Sequence, residues 1–197
     1  PETALNIENG WSYKSDKLNL NATFWFRNGR NIIDWVKNPD SLKWESQNLT
    51  MVNATGINLN TEIKLDINHF KTLELYYSYQ HLDKNAEGYD SKYALDYLRN
   101  KAGISLGFDI FEKKKTGKLS GKLSSNWYDR AGTWTDYYDK QLKSFTPYNL
   151  CDLRFLWKKN ILSLHLDINN LLNTKYQDYG GLPLPGTEIK AGITVDY

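Results

Sequence analysis

Cysteine is nearly absent: the 197 residues hold one, Cys151, beside a single Met. One thiol can neither close an internal disulfide framework nor build a cysteine-based zinc site. An excess of one charge is lacking too, since 25 Lys and Arg stand against 23 Asp and Glu for a net of +2. So balanced a chain has no basic surplus to hold a polyanion, which excludes nucleic acid as a partner. Long apolar runs are missing: mean hydropathy is −0.65, and no stretch approaches the roughly 18 residues of a membrane helix. That excludes a transmembrane helix and nothing more, because a β-barrel strand hides its lipid face in every second residue. The opening Pro1-Glu2 carries no signal-peptide pattern. The length bounds the chain to one or two domains.

Aromatic residues are abundant, with seven Trp and fourteen Tyr. Asn and Thr are common while Ala, Met and Glu are scarce, a balance that favours strands over helices. Period-two alternation recurs about nine times along the chain. In Leu18 to Arg27, the residues Leu18, Leu20, Ala22, Phe24 and Phe26 share one face, and Asn19, Asn21, Thr23, Trp25 and Arg27 the other. Lys101 to Ile110 and Ile161 to Asn170 repeat the pattern. Weaker copies lie at Leu5 to Tyr13, Gly56 to Ile67, Thr72 to Leu82, Lys118 to Arg130, Tyr148 to Trp157 and Glu188 to Tyr197. Asp90 to Asn100 comes nearest to a helical period and admits a short helical turn.

The connections between these strands alternate in length. Ser15-Asp16-Lys17, His69-Phe70-Lys71, Glu112 to Gly117 and Lys158-Lys159-Asn160 are short; Asn28 to Gln47, Asp83 to Arg99, Ala131 to Thr146 and Leu171 to Thr187 are long. In an up-and-down sheet this gathers every tight turn at one end and every long loop at the other, as in an outer-membrane barrel. One strand face is nearly free of charge, while the other carries Glu62, Lys64, Asp66, Asp109, Lys118, Lys122, Arg154, His165 and Asp167. That division suits lipid outside and a watered interior. A soluble or cell-surface β-rich binding or structural module also alternates, with its apolar face on a core. Runs of about ten residues favour the barrel, since globular strands average about five or six. Trp11, Tyr13, Trp25, Trp127, Tyr128, Trp157 and Tyr197 near strand ends suit an interfacial girdle.

An odd strand count puts the two termini at opposite ends, whereas bacterial barrels have an even number and both termini on the periplasmic side. The expectation is therefore an all-β, antiparallel, up-and-down transmembrane barrel of which residues 1–197 are the C-terminal portion, with the earlier strands on missing sequence. Open edges in hydrocarbon would cost roughly several kcal/mol for each unsatisfied group.

Several stretches resemble one family. Pro1 to Gly10, with Pro-Glu and then Glu-x-Gly, is similar to a barrel-strand entry of the TonB-dependent outer-membrane receptors. Leu166 to Tyr176 resembles their Asn-Leu-Phe-(Asn/Asp)-x-x-Tyr motif, with Leu172 in place of Phe, and Pro185-Gly186 resembles their Pro-Gly-Arg, with Thr187 in place of Arg. Lys190 to Tyr197 resembles the signal read by the barrel assembly machinery, carried by Lys190, Gly192, Val195 and Tyr197. Trp44, Gln47-Asn48-Leu49, Gly56-Ile57-Asn58, Tyr97 to Lys101 and Leu182 to Gly186 look like the cobalamin receptor subgroup. The resemblance implies a receptor of the Gram-negative outer membrane that binds a scarce nutrient, cobalamin or an iron-siderophore, at external loops. Its implied partners are outer-membrane lipid, the remaining strands, a plug, and through the plug the TonB system.

No catalytic constellation, cofactor motif or metal-ligand spacing stands out. His69, His81 and His165 are isolated, and Lys113-Lys114-Lys115 fits a solvated turn. The expected ligand-binding residues are loop aromatics outside the alternating strands: Trp35, Trp44, Tyr89, Tyr93, Trp134, Tyr137, Tyr138 and Tyr179. Such rings offer large rigid contact area at low entropic cost.

Overall fold

A computed structural model describes residues 1–38, 43–85, 90–91, 97–135, 141–177 and 182–196. Among these residues twelve strands follow in order: β1 (Thr3–Lys14), β2 (Leu18–Lys37), β3 (Trp44–Ile67), β4 (Phe70–Asn85), β5 (Asp90–Ser91), β6 (Leu98–Lys113), β7 (Gly117–Arg130), β8 (Thr133–Thr135), β9 (Leu142–Ser144), β10 (Tyr148–Lys159), β11 (Leu162–Asn169) and β12 (Glu188–Val195). Nine of them form one antiparallel path, β1-β2-β3-β4-β6-β7-β10-β11-β12. They match the nine alternating segments of the sequence. Short β5 joins the edge of β2, and β8 pairs β9 in a separate hairpin.

Register turns the alternation into two surfaces. Leu18, Ile63, Leu73, Leu106, Leu123, Leu153, Ile168 and Ile189 are successive cross-strand partners from β2 to β12, an unbroken aliphatic row. One residue along, Asn19, Glu62, Glu74, Ser105, Ser124 and Asp152 form an equally unbroken polar row. The polar face satisfies itself, with Lys122 Nζ 2.7 Å from Glu74 Oε2, Arg154 Nε 2.9 Å from Asp167 Oδ1 and Ser105 Oγ 2.9 Å from Ser124 Oγ.

Among the described residues nothing covers the apolar face. Among the described residues only Val36 and Ala54 are buried hydrophobic side chains, while Leu164, Leu123, Ile104 and Ile193 stay between 37% and 71% exposed. A water-soluble sheet needs a second layer over such a face. No second layer exists among the described residues, so the fold is a wall whose apolar side requires lipid. The path is also open: among the described residues β1 and β12 each have one strand neighbour.

Tight turns lie where expected, shifted by a residue or two. Asn68 (φ 47°) and Asn160 (φ 50°) open the β3–β4 and β10–β11 turns in the left-handed region that Asn tolerates. The turns are therefore Asn68-His69 and Asn160-Ile161 rather than His69 to Lys71 and Lys158 to Asn160. The long connections need larger correction. Residues 28–37 and 44–47 are strand, because β2 and β3 stay in register out to Lys37 and Trp44 after the apolar alternation has ended. Once a ribbon leaves the bilayer, backbone pairing continues without a lipid face to impose a pattern. The third loop contains the β8–β9 hairpin. At Asp90 to Asn100, the described residues 90–91 and 98–100 are strand; the rest of the expected helical turn, Tyr97 aside, lies outside the described residues.

Candidate functional site

At the long-loop end, the β8–β9 hairpin and the segment after β11 enclose a cavity of about 810 Å³. Trp134, Lys143, Phe145, Tyr148, Lys175 and Tyr176 are among its walls, and none of the described lining residues is Asp or Glu. Lys143 Nζ sits 5.9 Å from the Trp134 ring centre, and the Arg130 guanidinium 5.6 Å from that of Phe145. Aromatic faces lined with cations suit a rigid, anionic or electron-poor ligand.

The cavity joins a ladder of side chains on the polar face of the sheet. Tyr176 lies against Tyr148 with ring centres 4.8 Å apart, and Tyr148 stacks on Tyr128 at 5.0 Å. Lys101 continues the row, 5.4 Å from the Tyr128 ring and 5.0 Å from that of Tyr76, whose hydroxyl donates to Asn126 Oδ1 at 2.8 Å. Four strands thus contribute to one band leading from the loops along the inner wall.

Asn170 fixes the segment that closes the cavity. It is 3% exposed and left-handed at φ 49°. Its N–H donates to Asp152 Oδ1 (2.9 Å), its side-chain oxygen accepts the Thr174 N–H (2.8 Å), and its amide donates to the carbonyls of Thr174 (2.9 Å) and Pro185 (3.4 Å). Its carbonyl accepts the Thr187 hydroxyl at 2.9 Å. Asn173, also left-handed at φ 51°, accepts the Thr187 N–H at 3.2 Å. The Asn-rich motif and the Pro-Gly-Thr stretch of the sequence are therefore two halves of one clamp. Thr187 performs its part through a hydroxyl and a backbone N–H.

Among the described loop aromatics expected to bind ligand, Trp134 lines this cavity and Trp35 and Trp44 do not. Trp35 in β2 and Trp44 at the start of β3 lie on the extended β2–β3 ribbon, 47% and 40% exposed. All three fall in strands, which corrects the expectation that they stand outside them. Tyr89, Tyr93, Tyr137, Tyr138 and Tyr179 lie outside the described residues. Lys101, Lys143, Tyr148 and Tyr176 were not expected; Tyr176 carried a signal, since it ends the Asn-rich motif.

At the other candidate, β12, Lys190 bonds Glu188 at 2.7 Å and faces Asp167 on the polar side. Val195 is 52% exposed opposite Leu162, and Tyr197 lies outside the described residues. Gly192 is opposite His165, whose imidazole fills the space a Cβ would take. Ring over glycine is a pairing that marks strand register.

The family profile described as TonB dependent receptor-like, beta-barrel, matches residues 1–171. Among solved structures, the FrpB iron transporter from Neisseria meningitidis (F3-3 variant) is similar at 17% identity and TM-score 0.72, over 98% of this chain and 31% of that one. A mutant of the ferric enterobactin receptor PfeA from Pseudomonas aeruginosa is similar at 19% and 0.74, over 100% and 31%. The copper transporter OprC is similar at 14% and 0.77, over 100% and 32%. The chain spans about a third of the length of these structures. A search of the curated proteins finds no match. Identities this low carry the fold alone, while the profile match covers most of the chain. A wall with one face for lipid and one for water, and that match along it, make the chain a member of the TonB-dependent receptor-like β-barrel family of the Gram-negative outer membrane.

Proposed function

We propose that residues 1–197 are the C-terminal part of a receptor that captures a scarce, anionic metal chelate in the cavity between the β8–β9 hairpin and the Asn170 clamp. The observation that carries this reading is the lining: Trp134, Phe145, Tyr148 and Tyr176 beside Lys143 and Lys175, with no carboxylate among the described lining residues. Iron-siderophore chelates fit that chemistry. The cobalamin resemblance of Trp44, Gly56 to Asn58 and Leu182 to Gly186 supports the competing ligand. In the whole receptor, a plug domain would fill the lumen and couple import into the periplasm to the TonB system. The barrel assembly machinery would read Lys190, Gly192, Val195 and Tyr197. Trp35 and Trp44 would meet ligand earlier, on the ribbon.

The test is a titration of the intact receptor with a ferric catecholate and, in parallel, cyanocobalamin, followed by tryptophan fluorescence and equilibrium binding. The ferric chelate is expected to bind, and Lys143→Gln/Lys175→Gln to weaken it about tenfold, two charged contacts at roughly 0.7 kcal/mol each. Cyanocobalamin binding that survives this variant, with no chelate binding, would reverse the ligand assignment.

A further inference from the structure

The opposite end of the sheet is built differently. Three of its four turns with their flanks, residues 66–71, 112–118 and 158–161, hold seven lysines (Lys71, Lys113, Lys114, Lys115, Lys118, Lys158 and Lys159) against Asp66 and Glu112. Two of the lysines are already matched: Lys118 pairs with Asp109 (2.8 Å) and Glu112 (3.4 Å), and Lys158 with Asp196 (3.7 Å). Lys114, Lys115 and Lys159 are exposed and make no ion pair among the described residues. Lys71 is the irregular residue between Phe70 and Thr72, and its ammonium is 3.2 Å from a carbonyl, that of Asn68.

These three turns are tied to the strands beside them. The Asp109 N–H donates to the His69 carbonyl (2.8 Å), and the Trp157 indole N–H to the Thr116 carbonyl (2.9 Å). Just beside these lysines the apolar face ends in exposed Ile67 (58%), Phe70 (43%), Ile110 (40%) and Ile161 (57%). Lys159 shares the parity of Phe155 and Trp157, on the apolar side of the wall. Aliphatic and ring surface, then an indole, then unmatched ammonium groups is the sequence of chemistry met on going from acyl chains to phosphate. An acidic protein partner would match the charge but leave the four apolar side chains without lipid.

We propose that Lys71, Lys114, Lys115 and Lys159 bind the phosphates of anionic glycerophospholipids in the leaflet at the short-turn end. The inference rests on the lipid-facing wall and not on the nutrient cavity, which lies at the far end. The test is native mass spectrometry of the intact receptor in neutral detergent, equilibrated with equal amounts of phosphatidylglycerol and phosphatidylethanolamine. Phosphatidylglycerol should be retained preferentially. The variant Lys71→Gln/Lys114→Gln/Lys115→Gln/Lys159→Gln should lose that preference, by about fivefold for each lysine removed, while Lys37→Gln/Lys175→Gln at the far end retains it. Lys114→Gln/Lys115→Gln, confined to an exposed turn, serves if the quadruple variant fails to fold. Equal retention of the two lipids by the unaltered receptor, or an undiminished preference in the turn variants, overturns the proposal. So does an equal loss in the far-end variant. Chelate binding is read separately and stays intact in every turn variant if the two ends are independent.

Discussion

Asn170 and His165 illustrate how single residues hold a wall that has almost no core. Asn170 makes six hydrogen bonds from one left-handed position, and each polar group of this buried residue left unpaired would cost about 1–3 kcal/mol. Asp129 does similar work at the outer end of β7. It is 6% exposed and held by Arg99 Nε (3.0 Å) and Nη2 (3.1 Å) and by the Asn100 amide (2.8 Å). His165 acts by shape, its ring seated on Gly192. Gly192→Ala should therefore destabilise the receptor by about 1–2 kcal/mol. His165→Ala in the same chain should recover about half of that loss, a coupling that a double-mutant cycle of denaturant unfolding in vesicles measures. Additive losses would mean that the ring and the glycine do not set each other's position.

For the strands, legibility follows the solvent on each side. Where one face meets lipid and the other water, chemistry forces period two, and all nine main strands could be placed from residues such as Leu18 to Phe26. Beyond the bilayer both faces meet water, the pattern lapses at Asn28-Gly29-Arg30-Asn31, and only backbone register reveals that β2 and β3 continue to Lys37 and Trp44. The cavity was harder still. Its walls come from β8, β9 and the segment after Asn170, and nothing local in Trp134, Lys143 or Tyr148 announces that they meet. The clamp was half visible, as a motif without a mechanism. Leu164 lies on the lipid side and Ser163 on the water side of the same strand. Leu164→Arg should thus cost roughly 2–4 kcal/mol of folding free energy in bilayers, and Ser163→Arg close to none. Urea titration in vesicles reads the difference; equal costs would contradict the lipid assignment.

For the molecule as a whole, the unpaired edges dominate. β1 offers the outer side of twelve residues and β12 that of eight, with no strand against either among the described residues. Hydrocarbon does not tolerate open sheet edges, so these edges need further strands against them, and the similar solved structures are about three times as long as this chain. Residues 1–197 alone, added to vesicles from urea, should give no heat-modifiable barrel band on a gel, whereas co-refolding with the preceding strands of the same receptor should give one. A band from the lone chain would mean that it closes on itself or on its copies. The ribbon of β2 and β3 has another consequence. Its strands are 20 and 24 residues long, at about 3.4 Å per residue, whereas an apolar band is about 25 Å tall. Much of that hairpin stands clear of the membrane like a mast, so its upper reaches are open to antibodies, phages and neighbouring cells as well as to nutrient. Selection by those encounters would act on the ribbon separately from selection by the nutrient.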